Sequence, residues 1–225
     1  CIGAEPHSEE QRKRIEQLLG VKAYNCFGMS EMNGPGVAFE CTEQNGLHIW
    51  EDNVIVEIVD PVTLQPVPEG EVGELVLTTI NREAMPLLRY RTRDLTCILP
   101  GDCPCGRTHK RLARFKGRSD DMIILKGVNL FPIQIEKILM QFKELGSNYL
   151  ITLETIGNSD EMLIEVELSD LFTDDYSALQ RLTKGITRQL KDELLLTPRI
   201  KLVAKGSLPT TDGKAVRVKD HRKLC

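Results

Sequence analysis

No apolar run in this 225-residue chain approaches the roughly 20 residues that a bilayer-spanning helix needs, so no membrane segment is expected. There is no excess of positive charge either. The net charge of −4 argues against a large nucleic-acid footprint. A charged start followed by an apolar stretch and a small-residue cleavage site is also missing, so nothing marks the chain for secretion. Without such a signal, the odd count of seven cysteines points to reduced thiols in a cytoplasmic compartment, with metal binding as the main exception. An initiator Met is absent too. The chain opens at Cys1 in what reads as the end of a strand, and a fragment of a longer protein is expected.

What is present is an ordinary globular composition, 41% hydrophobic and 28% charged, long enough for one or two domains with a core. Ser8 and Gln11 form an S-x-x-Q capping box ahead of an apolar stripe at Ile15, Leu18 and Leu19, and Gly20 ends the helix. Val21–Tyr24 reads as a short strand. Strand, loop, helix and strand in succession predict an α/β layer with a ligand crevice at the strand ends. Those ends carry Gly3, Ala4, Glu5 and Pro6 after the first strand and Asn25 to Glu31 after the second.

From Val37 to Leu99 the pattern turns to β. Val54, Val56 and Ile58 alternate with Asn53, Ile55 and Glu57, and a turn at Asp60–Pro61 and punctuation at Pro66, Pro68 and Gly70 lead into Gly73–Thr79. The segment Leu88–Thr96 holds three arginines around Tyr90 and contains Asp94. Arginines on a strand usually form a solvated face paired with nearby carboxylates. Beyond residue 117 a charged turn, the apolar Met122–Leu125 and a second turn at Lys126–Gly127 make a connector. Pro132 suits the first position of a helix carrying Ile135, Ile138, Leu139 and Phe142. Alternating strands at Tyr149–Leu153 and Met162–Leu168, a helix from Asp174 or Asp175 to Leu194 and a strand at Ile200–Ala204 complete a small α+β domain of three strands and two helices.

Four groups of residues in this order resemble the motifs of the adenylate-forming superfamily, the acyl-CoA synthetases and their relatives. Gly117, Arg118, Ser119, Asp120, Asp121, Lys126 and Gly127 look like its crossover motif, which joins a large ATP-binding body to a small mobile lid. Phe27 to Glu31 resembles its aromatic-Gly-x-Ser/Thr-Glu motif. Asp94 ends a strand motif, and Leu208 to Arg217 holds a Gly-Lys pair near the lid's end. Met32–Gly36, Arg91–Asp94 and Lys126–Pro132 are similar to the phenylacetate-CoA ligase branch. Val67–Leu75 also resembles a superfamily segment and reads as a structural hairpin.

The resemblance implies residues 1–118 as the C-terminal part of the large AMP-binding domain, an α/β layer plus a β subdomain, and 119–225 as the lid, hinged near Asp120. It implies ATP or AMP contacts at Ala4, Glu5, Pro6, Asn25, Phe27, Gly28, Met29, Ser30, Asp94 and Arg118, with Asp94 on the ribose hydroxyls. The local chemistry agrees: an aromatic face suits a purine, a glycine admits a phosphate and a hydroxyl donates to it. Glu31 is a hard-oxygen ligand for Mg²⁺, Lys214 is the catalytic ammonium, and Lys126 and Gly127 face the CoA channel. The implied activity is ATP-dependent arylacetate-CoA ligation through an acyl-adenylate, with an aryl acid as partner and a second copy of the full-length chain as a candidate one. A different acid, an acceptor other than CoA, or a non-catalytic zinc-stabilised domain are the alternatives. The Ser/Thr/Gly-rich phosphate loop of the superfamily has no counterpart here, so the 225 residues alone are expected to be inactive.

One feature lies outside the resemblance. Pro100–His109 carries Cys103 and Cys105, two of the roughly four donors a tetrahedral zinc needs. Cys1 and His7 would supply the others if the first loop lies alongside, and His109 is the local substitute. The bland reading is a pair of reduced thiols in a turn. Four protein ligands would make any such zinc structural.

Overall fold

A computed structural model of the chain describes residues 1–5, 7–32, 34–157, 159–170, 176–209 and 215–222. The chain divides into two compact units, Cys1–Pro6 with Ile15–Asp121, and His7–Arg14 with Met122–Cys225. No described helix is long and apolar enough to cross a membrane.

Helix α1 (Glu9–Leu19) starts where the capping residues predict, with the Ser8 hydroxyl accepting the Gln11 N–H at 3.2 Å. Gly20 ends it in the left-handed region at φ 64°. The apolar stripe is not its packing face, because Leu18 and Leu19 are 74% and 68% exposed. The helix is tied down through polar groups instead. The Glu16 carboxylate accepts the Ala23 N–H and the Gln44 amide, each at 2.9 Å.

Strand β1 (Cys26–Met29) begins later than the expected Val21–Tyr24, since Val21 is half exposed and the first pairing residue is Asn25, in a parallel bridge with Ile2. That single bridge is the described part of the parallel layer, and the rest of the first unit is antiparallel. Strands β2 (Gly34–Glu40), β3 (Leu47–Ile49), β4 (Val54–Val59), β5 (Gly73–Thr79), β6 (Tyr90–Thr96), β7 (Ile98–Leu99), β8 (Arg111–Leu112) and β9 (Gly117–Arg118) follow. They form two sheets, in the orders β1-β2-β3-β8-β7 and β4-β5-β6-β9. The alternation read from the sequence holds in β4: Val54 and Ile58 are buried and Ile55 is exposed. With Val37, Leu47, Ile49, Leu75, Leu77 and Leu112 they form one core.

The second unit opens with a hairpin of β10 (Ile123–Leu125) and β11 (Val128–Leu130). Helix α2 (Pro132–Leu139) has Pro at its first position as the sequence predicts, and Gln134 Oε1 accepts the Phe131 N–H at 2.8 Å. Strands β12 (Leu145–Ile156) and β13 (Ser159–Leu168), helix α3 (Tyr176–Leu194), and strands β14 (Arg199–Val203) and β15 (Val218–Asp220) complete it. The sheet has four strands in the order β14-β13-β12-β15, one more than expected. The added strand, β15, holds one apolar residue in three and therefore carries no alternation to read; it pairs in parallel with β12. Ile135, Ile138, Leu139, Ile151, Ile164, Val166, Ile186 and Leu190 pack the core between helices and sheet. The result is mixed α/β, sheets with few helices.

Gly73 shows how closely β4 and β5 approach. A Cβ there would lie 2.5 Å from the Val59 carbonyl oxygen and 2.8 Å from the Ile58 side chain, while one at Gly36 would meet nothing nearer than 4.0 Å. Gly73→Ala is expected to destabilise the chain by about 1–3 kcal/mol, and Gly36→Ala by no more than about 0.5. Urea midpoints of the two variants check this, and equal midpoints would contradict it.

Candidate functional site

Five of the expected nucleotide residues, Asn25 and Phe27 to Ser30, lie on β1 or directly beside it in the chain. Asn25, Cys26, Phe27, Gly28 and Met29, read from the sequence as a loop after a strand, are bridge and strand residues themselves. Cys26 and Phe27 pair with Phe39 and Ala38, and the register shifts between Phe27 and Met29, leaving Gly28 in a bulge. A bulge bends a strand and re-aims its side chains. Just beyond it, Ser30 and Glu31 stand exposed on a single 3₁₀ turn, Ser30–Met32, whose Met32 is buried. The Glu31 main-chain carbonyl accepts a hydrogen bond from Arg82.

The first loop lies against this strand. A Cβ on Gly3 would sit 2.6 Å from both the carbonyl oxygen and the sulfur of Cys26, so only glycine allows the approach. Ala4 follows, exposed and in the left-handed region at φ 70°, and Glu5 is half-buried. The buried Glu40 carboxylate accepts the Asn25 N–H at 2.6 Å and lies 3.7 Å from the Arg114 guanidinium. One residue on, the Phe115 ring meets Phe27 with centroids 4.5 Å apart and planes tilted by 40°. Neither Glu40 nor Phe115 is recognisable from sequence. Their partners are 15 and 88 positions away.

Three residues after Phe115, Arg118 in β9 is the cross-strand partner of Asp94 in β6. Its guanidinium lies 3.6 Å from the Asp94 carboxylate, donates to the Thr92 carbonyl at 3.2 Å, and makes two 2.9 Å hydrogen bonds to Asp120. The fork geometry suits a carboxylate. This pairing with Arg118 holds the Asp120 carboxyl below the usual carboxylate range. The resemblance named Asp94, Arg118 and Asp120; strand pairing sets Arg118 beside Asp94, and its guanidinium reaches Asp120.

The three arginines of residues 88–96, two of them on β6, separate in role. Arg91 donates to Glu74 from Nε at 2.9 Å and Nη2 at 2.7 Å, Arg93 reaches the same carboxylate at 3.8 Å, and the Ser119 hydroxyl donates to it at 3.5 Å. Arg89 forms an exposed pair with Glu57 at 3.1 Å. The Glu74 side chain is fully buried. Burial alone would raise its pKa, but the Arg91 hydrogen bonds and the neighbouring positive charges outweigh that and leave it below the ordinary value. Arg93 itself takes φ 71° at the irregular β5–β6 register. The segment read as a structural hairpin therefore supplies the carboxylate that positions β6 and the start of the connector.

In the second unit Lys126 and Gly127 are the two central residues of the β10–β11 turn, with φ 50° and 79°. Positive φ at both positions is the mirror-image hairpin turn, which matches strand twist. Gly127 adopts it freely, whereas Lys126 is strained there. Pro6 and Lys214 lie outside the described residues.

The expected zinc ligands need correction. Cys41, His48, Cys103 and Cys105 bring one donor atom each within 4.8 Å of one another. Cys1 is exposed, His7 belongs to the second unit, and His109 offers its main-chain carbonyl to His48 rather than its ring. The reason is sheet pairing. Strands β2, β3 and β8 set the end of the β2–β3 hairpin beside the loop 100–110.

Residues 1–81 match the AMP-binding enzyme family, and residues 127–222 match the AMP-binding enzyme C-terminal domain. The chain belongs to the AMP-binding enzymes. It is 43% identical to the phenylacetate-coenzyme A ligase of Thermus thermophilus, over 99% of this chain and 53% of that protein. It is 41% identical to that of Escherichia coli K12, over 99% and 51%. The chain thus spans about half the length of the curated relatives it matches. A solved 2-hydroxyisobutyryl-CoA ligase bound to R3-HIB-AMP superposes with a TM-score of 0.86 at 32% identity, over 94% of this chain and 45% of that one. A benzoate CoA ligase from Burkholderia xenovorans LB400, at 22% identity and a TM-score of 0.63 over 93% of this chain and 42% of that one, shares the fold.

In this AMP-binding enzyme Glu74→Gln removes the buried charge and leaves two arginines without it. Because Arg91 is partly solvated, the expected cost at pH 7 is about 2–3 kcal/mol, below that of breaking a fully buried pair. A depressed folded pKa contributes stability above the unfolded carboxyl value near 4.3, and that contribution is lost as pH falls through the folded value. The gap between wild type and Glu74→Gln in urea midpoint should therefore narrow as pH falls below the unfolded value of about 4.3. A gap constant from pH 7 to pH 3 would contradict the ion pair.

Proposed function

We propose that this chain serves an ATP-dependent arylacetate-CoA ligase, joining phenylacetate or a near relative to the CoA thiol through an acyl-adenylate. The observation carrying the proposal is the agreement of motif and place: over a length where phenylacetate-coenzyme A ligases of three organisms are 41–44% identical, Asp94 and Arg118 are cross-strand partners, and Arg118 stands three residues after Phe115, whose ring meets Phe27. A purine face, a ribose acceptor and a guanidinium are what a nucleotide monophosphate requires.

In the first half-reaction a carboxylate oxygen of the acid attacks the α-phosphorus of ATP, and the bond to the bridging oxygen breaks as pyrophosphate leaves. Phe27 offers a face to adenine, Asp94 accepts the ribose hydroxyls, and Ser30 donates to phosphate. Ala4, Glu5, Pro6, Asn25, Gly28 and Met29 wall the nucleotide. Lys214 compensates the charge that develops around the α-phosphate. Glu31, exposed with its carbonyl held by Arg82, has the hard oxygen donors that suit Mg²⁺, which when bound would neutralise phosphate charge.

In the second half-reaction the CoA sulfur attacks the acyl carbon, its proton passes to solvent, and AMP leaves with the electron pair of the acyl C–O bond. Residues 119–225 act as a lid hinged at Asp120, which withdraws Lys214 and presents Lys126 and Gly127 to the CoA channel. The described cysteines are all free thiols, which accords with a cytoplasmic location.

In the full-length enzyme, Lys214→Ala should lower adenylation about 100–1,000-fold and leave thioester formation from supplied acyl-adenylate largely intact. Asp120→Pro should slow the thioester step more than adenylation. Pyrophosphate release and acyl-CoA formation, followed separately, test both, and equal loss of the two half-reactions in either variant would count against the assigned role. Assays with phenylacetate, indoleacetate and benzoate, with and without CoA, test the substrate class. Release of pyrophosphate without acyl-CoA would overturn the ligase reading in favour of another acceptor.

A further inference from the structure

We propose that Cys41, His48, Cys103 and Cys105 bind one structural zinc ion that fastens the loop 100–110 to the β2–β3 hairpin, a role separate from the ligase reading. All four donors belong to the first unit. Cys41 follows directly on β2, His48 is the middle residue of β3, and the two remaining thiols sit in the loop between β7 and β8. Three are buried and Cys105 is partly so.

The distances suit a tetrahedron. With Zn–S near 2.3 Å and Zn–N near 2.0 Å, a tetrahedral edge is about 3.8 Å between sulfurs and about 3.5 Å between sulfur and nitrogen. Cys41 and Cys103 sulfurs are 3.7 Å apart, and Cys105 sulfur is 3.4 Å from His48 Nε2. The widest separation, within 4.8 Å, exceeds an edge by about 1 Å, a gap that small side-chain rotations close. A disulfide is not formed, since its sulfurs would be about 2.05 Å apart.

The neighbouring groups orient these side chains as groups around a zinc ion's ligands generally do. His48 Nδ1 lies 3.3 Å from the His109 carbonyl oxygen. Only a protonated Nδ1 can donate to that oxygen, which leaves the Nε2 lone pair facing the sulfurs. The buried Arg111 guanidinium donates to the carbonyls of Asn45, Gly101 and Asp102 at 2.9, 3.1 and 3.2 Å, so one cation already holds both ligand-bearing loops together. Three thiolates and one imidazole select zinc among common divalent ions, and four protein donors leave no position open for a substrate. On binding, each of the three thiols gives up its proton to solvent.

The protein, purified without a histidine tag and analysed by mass spectrometry for metals, is expected to hold about one zinc per chain; the paired substitution Cys103→Ser with Cys105→Ser should reduce this to below about a tenth. Cys1→Ser and Cys26→Ser should retain the full amount. Should the paired variant fail to fold, wild-type protein stripped with a chelator and reloaded with cobalt(II) serves instead, and an intense thiolate-to-cobalt charge-transfer band is expected. Less than a tenth of an equivalent of zinc (about the detection floor set against a full site), no such band, loss of metal in Cys1→Ser, or a Cys41–Cys103 disulfide in the intact mass would each overturn the proposal. Ligase activity enters none of these readouts, so failure of the zinc site and failure of the ligase reading are distinguishable.

Discussion

The Glu74 carboxylate is the constraint on which the ordering of the first unit rests. It is fully buried, so it must be matched by donors, and it draws them from three places: Arg91, Arg93 and Ser119. Two of these lie on β6, where they flank the point at which the strand leaves regular register. The third lies in the connector, between Arg118 and Asp120. An unmatched charge in that position would cost several kcal/mol, so the irregular strand and the start of the connector are settled together. Asp94 stands within this frame, one residue after the strained Arg93.

Around the frame, polar groups do what apolar packing does elsewhere. Glu40 fixes Asn25 and Arg114, and through Arg114 the neighbouring Phe115 that faces Phe27. Arg118 ties Asp94, the Thr92 carbonyl and Asp120 with a single guanidinium. Buried polar networks of this type fix one geometry when every member is satisfied. The proposed nucleotide site, a ring, a carboxylate and a guanidinium serving one ligand, needs that singularity more than it needs additional hydrophobic area.

Local rules made much of this legible. The Ser8 cap, the left-handed Gly20, Pro132 at the first position of α2 and the alternation of Val54, Val56 and Ile58 depend on neighbours within four positions, and the structure follows them. What depends on distant pairing was hidden. The strand expected at Val21–Tyr24 forms five residues later because Asn25 bridges Ile2, and β15 exists only because β12 offers it an edge. Cys103 and Cys105 were visible as ligand candidates through their spacing. Their companions Cys41 and His48 stand 55 to 64 positions earlier, with no motif around them. Glu74 gave no signal because a glutamate in a strand is ordinarily solvated, and only the fold reveals it to be enclosed.

The two ends of the segment holding Lys214 are secured to one sheet. Ahead of it, the Leu208 N–H donates at 2.9 Å to the buried Glu167 of β13. Behind it, the Arg217 carbonyl accepts the Ile151 N–H of β12 at 2.8 Å, and its guanidinium lies over the Tyr149 ring at 4.7 Å and bonds to Asn148. Both anchors belong to one sheet, so the chain between them has its two ends held at a fixed spacing for as long as β12 and β13 stay paired.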